Sequence, residues 1–218
     1  MNNSKALNVV AVVITLAAWS GLHLFLHPQP PALDRRPHEG VGEVLAAEAM
    51  KVLEPGARIV VIARDPLPFE VPASTAQLDS FLRALKRTGQ SVANIHRIQL
   101  DPLRRMAVPP GDFFELMRRG GEHDVFVSLL GPPVLEGPQL AKLGNKRPRV
   151  LALCAGTIPE QVDLQALFAQ RRLTAAVITR RDAPARSTAG SPQAAFEQMF
   201  TLITIANLAD LPPTTAGH

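Results

Sequence analysis

The run Asp124-Val125-Phe126-Val127-Ser128-Leu129-Leu130-Gly131-Pro132-Pro133 constrains the fold more than any other part of this sequence. It is a short apolar stretch of β-forming residues, opened by an acid and stopped by Gly-Pro-Pro. A strand on a half-solvated sheet alternates apolar and polar residues, and this one does not. Continuous apolar character over so few residues is the mark of a strand covered on both faces, as at the centre of a parallel sheet.

Three further runs have the same character: Arg58 to Ala63, Arg149 to Cys154 and Leu173 to Thr179. A more polar one, Ala93 to Leu100, suits an edge. Helical stripes separate them. Leu78, Phe81, Leu82 and Leu85 form one, behind Ser74 read as N-cap with Gln77 completing a capping box, and Gly89 at the C′ position. Asp112 opens a second with Phe113, Leu116 and Met117, and a short helix is expected around Gln139 to Leu143. Glu160 to Arg171 forms another, with Val162, Leu164, Leu167 and Phe168 inward. Ser191 caps the last, with Pro192 at N1 and Ala195, Phe196, Met199, Phe200 and Ile203 inward.

Strands alternating with helices predict an α/β domain of three layers, with five parallel strands in the flavodoxin-like order 2-1-3-4-5. The domain is expected over residues 40–211. It begins with an amphipathic helix from Val41 to Leu53 that stops at Glu54-Pro55-Gly56, and an unstructured tail follows Leu211.

Ahead of the domain, Ala6 to Leu26 is a run of twenty-one positions without a formal charge. That length spans a hydrocarbon core of roughly 30 Å as a helix. Small residues at Ala17 and Ala18 are followed by Trp19 and more apolar positions, which argues for an uncleaved anchor over a signal peptide. A five-residue head before one span has the form of a signal-anchor in a bacterial-type inner membrane, exporting its C-terminal domain to the periplasmic side. The count of Lys5 against Arg35 and Arg36 leans the other way. Trp19, His23 and His27 suit the polar interface of a bilayer. The spacing of the two histidines would also let them share a metal, but the interfacial role is preferred. His27 to Glu39 holds four prolines and reads as a semi-extended tether.

In a sheet of this kind ligands bind beyond the carboxyl ends of the strands. The candidates there are Asp65, Asp101, Gly131, Gly156, Thr157 and Arg180. The first strand-helix turn, Arg64-Asp65-Pro66-Leu67-Pro68-Phe69, has no glycine, and its prolines lack the N–H groups a phosphate needs. No dinucleotide or Walker motif occurs elsewhere, so no NAD, FMN or ATP is expected, and no other cofactor or metal. A phosphorelay receiver would need an aspartate where the central strand ends in Leu129-Leu130-Gly131. Asp65 and Asp101 could face each other as a carboxylate pair, but both precede proline and read first as turn starters. The net charge of +4 is spread over scattered arginine pairs in a chain with no tyrosine, against nucleic-acid binding.

Two resemblances attach to particular residues. Leu151-Ala152-Leu153-Cys154-Ala155-Gly156 resembles the strand-to-helix nucleophile elbow of the glutamine-amidotransferase-like family, which implies a cysteine-dependent hydrolase-like enzyme using Cys154. The helix that follows the family's cysteine is displaced here by Thr157-Ile158-Pro159, and no partner histidine is marked. A lone cysteine is also the usual small, buried apolar residue. The second resemblance rests on Asp124 to Pro132 and Val150 to Leu153: the outline is similar to one lobe of a type I periplasmic substrate-binding protein. That implies a solute-binding or sensing module, with a ligand enclosed only between subunits.

With no catalytic motif, the leading expectation is a membrane-anchored accessory or scaffolding subunit that docks onto a protein partner in or at the membrane. Solute binding is the alternative and a Cys154 enzyme the third.

Overall fold

The computed structural model describes residues 12–20, 22, 33–67, 70–99, 110–144 and 146–211. The chain divides into two units, residues 1–33 and Asp34–His218. In the first, residues 12–20 and 22 are helical and Trp19 is exposed. Among the described residues no helix is long and apolar enough to cross a membrane. The rest of the expected span, with His23 and His27, lies outside the described residues, as does the C-terminal tail after Leu211.

The second unit is an α/β domain. It runs α1 (Arg36–Val52), β1 (Ile59–Arg64), α2 (Pro72–Arg87), β2 (Asn94–Ile98), α3 (Pro110–Arg119), β3 (Val125–Ser128), α4 (Gly137–Leu143), β4 (Arg149–Cys154), α5 (Ile158–Gln161), α6 (Leu164–Ala169), β5 (Ala175–Thr179), α7 (Pro192–Met199) and β6 (Phe200–Thr204). A 3-10 turn over Ile205–Asp210 follows. The sheet order is β2-β1-β3-β4-β5-β6. Its first five strands are parallel in the expected order, with Ile59 beside Val125 and Val125 beside Arg149.

The two-residue period of the strands sorts the core into two layers. Val61, Val127, Leu151 and Val177 face one side, where α1, α2 and α7 cover them with Leu45, Phe81 and Phe196. Phe126, Val150, Ala152 and Ile178 face the other, against Phe113, Met117, Leu164 and Phe168. All four residues of β3 are buried, as its continuous apolar run requires.

Several boundaries correct the expectations. Among the described residues the sheet has six strands, because the segment read as the end of the last helix leaves it at Met199. Phe200 to Thr204 instead pairs antiparallel with β5, Ala176 beside Ile203. Thr201, Ile203 and Thr204 are β-branched, and pairing them with β5 satisfies backbone groups that its edge would otherwise leave open. The first domain helix begins at Arg36, inside the expected tether, with Pro37 in its first turn where no N–H is needed. Ser74 is not the cap of α2: Val71 holds that position without a side-chain bond, and Pro72 starts the helix. The helix expected from Glu160 is broken into α5 and α6 at Asp163, whose carboxylate accepts the Ala166 N–H at 2.8 Å. Ser191 caps α7 as expected, accepting the Ala194 N–H at 3.3 Å.

Candidate functional site

The carboxyl edge of the sheet is not one crevice but two hollows separated by a plug. The plug is the end of the central strand. Leu129 to Pro133 are all buried, and the Ser128 hydroxyl accepts the Leu130 N–H at 3.3 Å, turning the chain off the strand. Gly131 makes this turn at φ 105°, a conformation side chains disfavour, and a Cβ there would stand 3.3 Å from the Ile158 side chain. Gly131 is therefore a buried turn residue.

On the β5 side, Gly156, Thr157 and Arg180 are each engaged by a nearby partner rather than by one another. The Gly156 N–H donates to the Thr179 hydroxyl at 3.2 Å. Thr157 stands at the N-cap of α5, where its hydroxyl accepts from Gln161 at 3.0 Å. Arg180 forks onto Asp182, with contacts of 3.0 and 2.8 Å, and that hydrogen-bonded pair holds the Asp182 carboxyl below its usual range. A hollow of about 440 Å³ adjoins Arg180, Arg181 and Asp182.

On the β1 side, Asp65 accepts the Leu67 N–H at 3.0 Å and its own N–H donates to Ile98, so it shapes the loop as an Asx turn. Asp101 lies outside the described residues. Behind this loop, between the carboxyl ends of β1 and β2 and the first turns of α2, is a cleft of about 290 Å³. Ala63, Val71, Leu78 and Leu129 give it apolar walls, and Arg64, Glu70, Ser74, Thr75, Asp79 and Arg97 line it with polar groups. Glu70 accepts from the Thr75 hydroxyl at 3.1 Å. Among the described residues, Arg64, Asp79 and Arg97 have no hydrogen bond or ion pair from their side chains.

Of these groups the sequence singled out Arg64 only as a neighbour of Asp65. Asp79 and Arg97 carry no local motif. Arg97 was legible only as an odd-numbered polar position of an edge strand, and only the crossover between β1 and β2 brings it opposite α2.

Cys154 sits at the end of β4 with no exposed surface, its thiol in weak contact with the Ala152 carbonyl at 4.0 Å. Burial pushes its pKa far up, away from thiolate. Cys154 thus has the setting of a core residue rather than of the exposed thiolate that the elbow resemblance implies. Among the described residues no group of three or more His, Cys, Asp or Glu is placed to hold a metal.

Neither a protein-family model nor a curated protein sequence matches the chain. Solved structures do. An arabinose-binding protein from Geobacillus stearothermophilus superposes with a TM-score of 0.53 at 13% identity, covering 81% of this chain and 63% of its own. A carbohydrate transporter solute-binding protein from Agrobacterium radiobacter, solved with D-arabinose, gives 0.52 at 14% identity, covering 81% and 61%. The fold is similar to that of periplasmic sugar-binding proteins of type I. The chain spans less than two thirds of the length of either structure. At such low identity the likeness concerns the fold, and it carries no residue of a binding site across.

Proposed function

We propose that this protein is a solute-binding or sensing module. It takes a small polyhydroxylated solute, of monosaccharide size, in the cleft at the carboxyl ends of β1 and β2. One observation carries the reading: Arg64, Asp79 and Arg97 converge on a concave, partly apolar cleft with their hydrogen-bonding capacity unspent among the described residues. Guanidinium forks and a carboxylate match vicinal hydroxyls, which both donate and accept. The volume of about 290 Å³ lies near the lower end of ligand sites, roughly 300–1,000 Å³. The position is also where parallel sheets bind ligands, and the similarity to sugar-binding proteins supports the substrate class. One sheet supplies one wall of such a site; the other wall comes from a second subunit. The module is exported and held at the membrane through residues 6–26.

Calorimetric titration of the purified full chain with D-arabinose and a panel of pentoses and hexoses tests the reading. At least one sugar is expected to bind, and R97A is expected to weaken it by about tenfold or more, as loss of a charged hydrogen bond does. Arg97 is exposed, so the substitution leaves folding intact. A panel without a single response sinks the proposal.

The buried plug at Leu129 to Pro133 favours a second reading, an accessory or scaffolding subunit that docks a protein partner at the membrane. Gentle detergent extraction with mass spectrometry of the co-purifying proteins separates the two: a stoichiometric partner and no sugar response would choose docking.

A further inference from the structure

The opposite edge of the sheet, where the strands begin, carries a different chemistry. A hollow of about 460 Å³ opens there between the starts of β3, β4 and β5. Its ionisable lining is Arg147, Arg149 and Arg171 with His123, against Glu54 and Glu122. Glu54 is committed: it pairs with Arg149 and, at 2.7 Å, with the His123 Nδ1. Arg147 donates only to neutral acceptors, the Gly144 and Lys146 carbonyls at 2.8 and 2.9 Å. Arg171 has no side-chain partner among the described residues. Two guanidinium groups thus face one hollow without a carboxylate bound to either.

Two further observations sharpen this. Arg172, next in the chain, binds its proton less tightly than usual, first because it is partly buried and then because Arg147 is close. Among the described residues its side chain donates to the neutral Gln170, at 3.1 Å. Arg147 and Arg172 thus lie close together with no carboxylate bonded to either among the described residues, and Glu122 is the one acid of the lining outside the Glu54 pairs. The second is the backbone of Arg171, whose φ is 54°, the one positive value among described residues other than glycine. It stands just past the C-cap Gln170 of α6, where glycine is the unstrained choice. The chain accepts strain at a position whose side chain borders the hollow.

We infer that the amino edge of the sheet is an anion site, in which Arg147 and Arg171 hold a phosphate dianion or a phosphate-bearing small solute, with Arg149 and His123 on the rim. Guanidinium forks bind phosphate oxygens in pairs, and the hollow is large enough for more than the phosphate alone. The site lies at the opposite edge from the sugar cleft and stands or falls separately from it.

The test is a thermal-melt and calorimetric titration of the full chain in mild detergent with inorganic phosphate. Chloride at matched ionic strength controls for screening. A parallel arm uses vesicles containing phosphatidic acid, which distinguishes a lipid headgroup from a free solute. Phosphate is expected to raise the melting midpoint where chloride does not. R171G is the decisive variant, because it removes the cation and relieves the backbone together. Its melting midpoint without phosphate is expected to equal or exceed that of the wild type, while phosphate affinity falls by about tenfold or more. R147Q is expected to lose affinity without the gain in stability. A response to phosphate or vesicles that both variants abolish supports the site. No response in either arm, or a response that R171G leaves unchanged, overturns it.

Discussion

At the scale of single residues, Asp124 shows how one side chain can fix the start of two strands. It is 4% exposed and accepts the Gly121 N–H at 2.8 Å, the Arg58 N–H at 3.1 Å and the Arg58 guanidinium at 2.7 Å. Burial by itself would raise its pKa. The Arg58 hydrogen bond, the two backbone donors and the Arg58 charge outweigh burial and hold the carboxyl below its ordinary value. A depressed folded-state pKa contributes stability above the unfolded value and loses it as the pH falls through the folded one, here below about pH 4. D124N is expected to lower stability at neutral pH by about 1–3 kcal/mol, since the remaining Arg58 is more than half exposed and stays solvated. Urea unfolding should then show the wild type losing more stability between pH 6 and pH 3 than the variant does. Parallel losses would show that Asp124 is not the titrating group. The sequence marked Asp124 only as the acid that opens the central strand. Its partner, Arg58, is brought to it by the β1–β3 pairing and by nothing local.

At the scale of elements, α1 is the helix on which the first core layer is assembled, and two glycines let it seat. A Cβ on Gly42 would lie 2.7 Å from the Phe81 nitrogen and 2.9 Å from the Ser80 Cβ on α2, besides contacting the Gln77 carbonyl. A Cβ on Gly40 would meet the Pro192 carbonyl and lie 2.7 Å from the Phe196 Cβ on α7. The Ser80 hydroxyl donates to the Glu39 carbonyl at 2.7 Å, so the two helices touch backbone to side chain as well. G42A is expected to destabilise by about 1–3 kcal/mol, because backbone has to move to admit one methyl. G111A, at a helical position with nothing within 4 Å, is the control and is expected to be neutral or slightly stabilising. Chemical denaturation midpoints decide it, and equal effects at both positions would mean that the close approach of α1 is not needed. The apolar stripe of α1 was legible in its spacing. The glycine faces were not, since a glycine in a helix reads as a weakness until its neighbours are in place.

At the scale of the whole molecule, the chain divides into two compact units, and the proposed function assigns a task to each. The described residues of both core layers all lie in the second unit, Asp34–His218. The domain from Asp34 onward is expected to fold alone, with the cooperative unfolding midpoint of the full chain. It is expected to stay in the aqueous fraction after carbonate extraction, while the full chain sediments with membranes. A full chain that remains aqueous would remove the proposed anchor.

The sequence by itself determined what depends on neighbours along the chain. Periodicity, capping residues and the rules of parallel sheets yield β3 as a doubly covered strand, the alternation of strands and helices, the parallel order of five strands and the Ser191 cap. Each rests on contacts within one element or on a rule of chain handedness. Tertiary structure decided whatever depends on residues distant in sequence. It turned Phe200 to Thr204 from helix into a sixth strand, because only the assembled sheet offers an edge to pair with. It closed the loop after Gly131, buried Cys154 and joined Arg64, Asp79 and Arg97 around one cleft. Those three residues are scattered over thirty-odd positions, and no propensity links them. Their convergence is a property of the β1–α2–β2 crossover, which is where the sequence hands its chemistry to the fold.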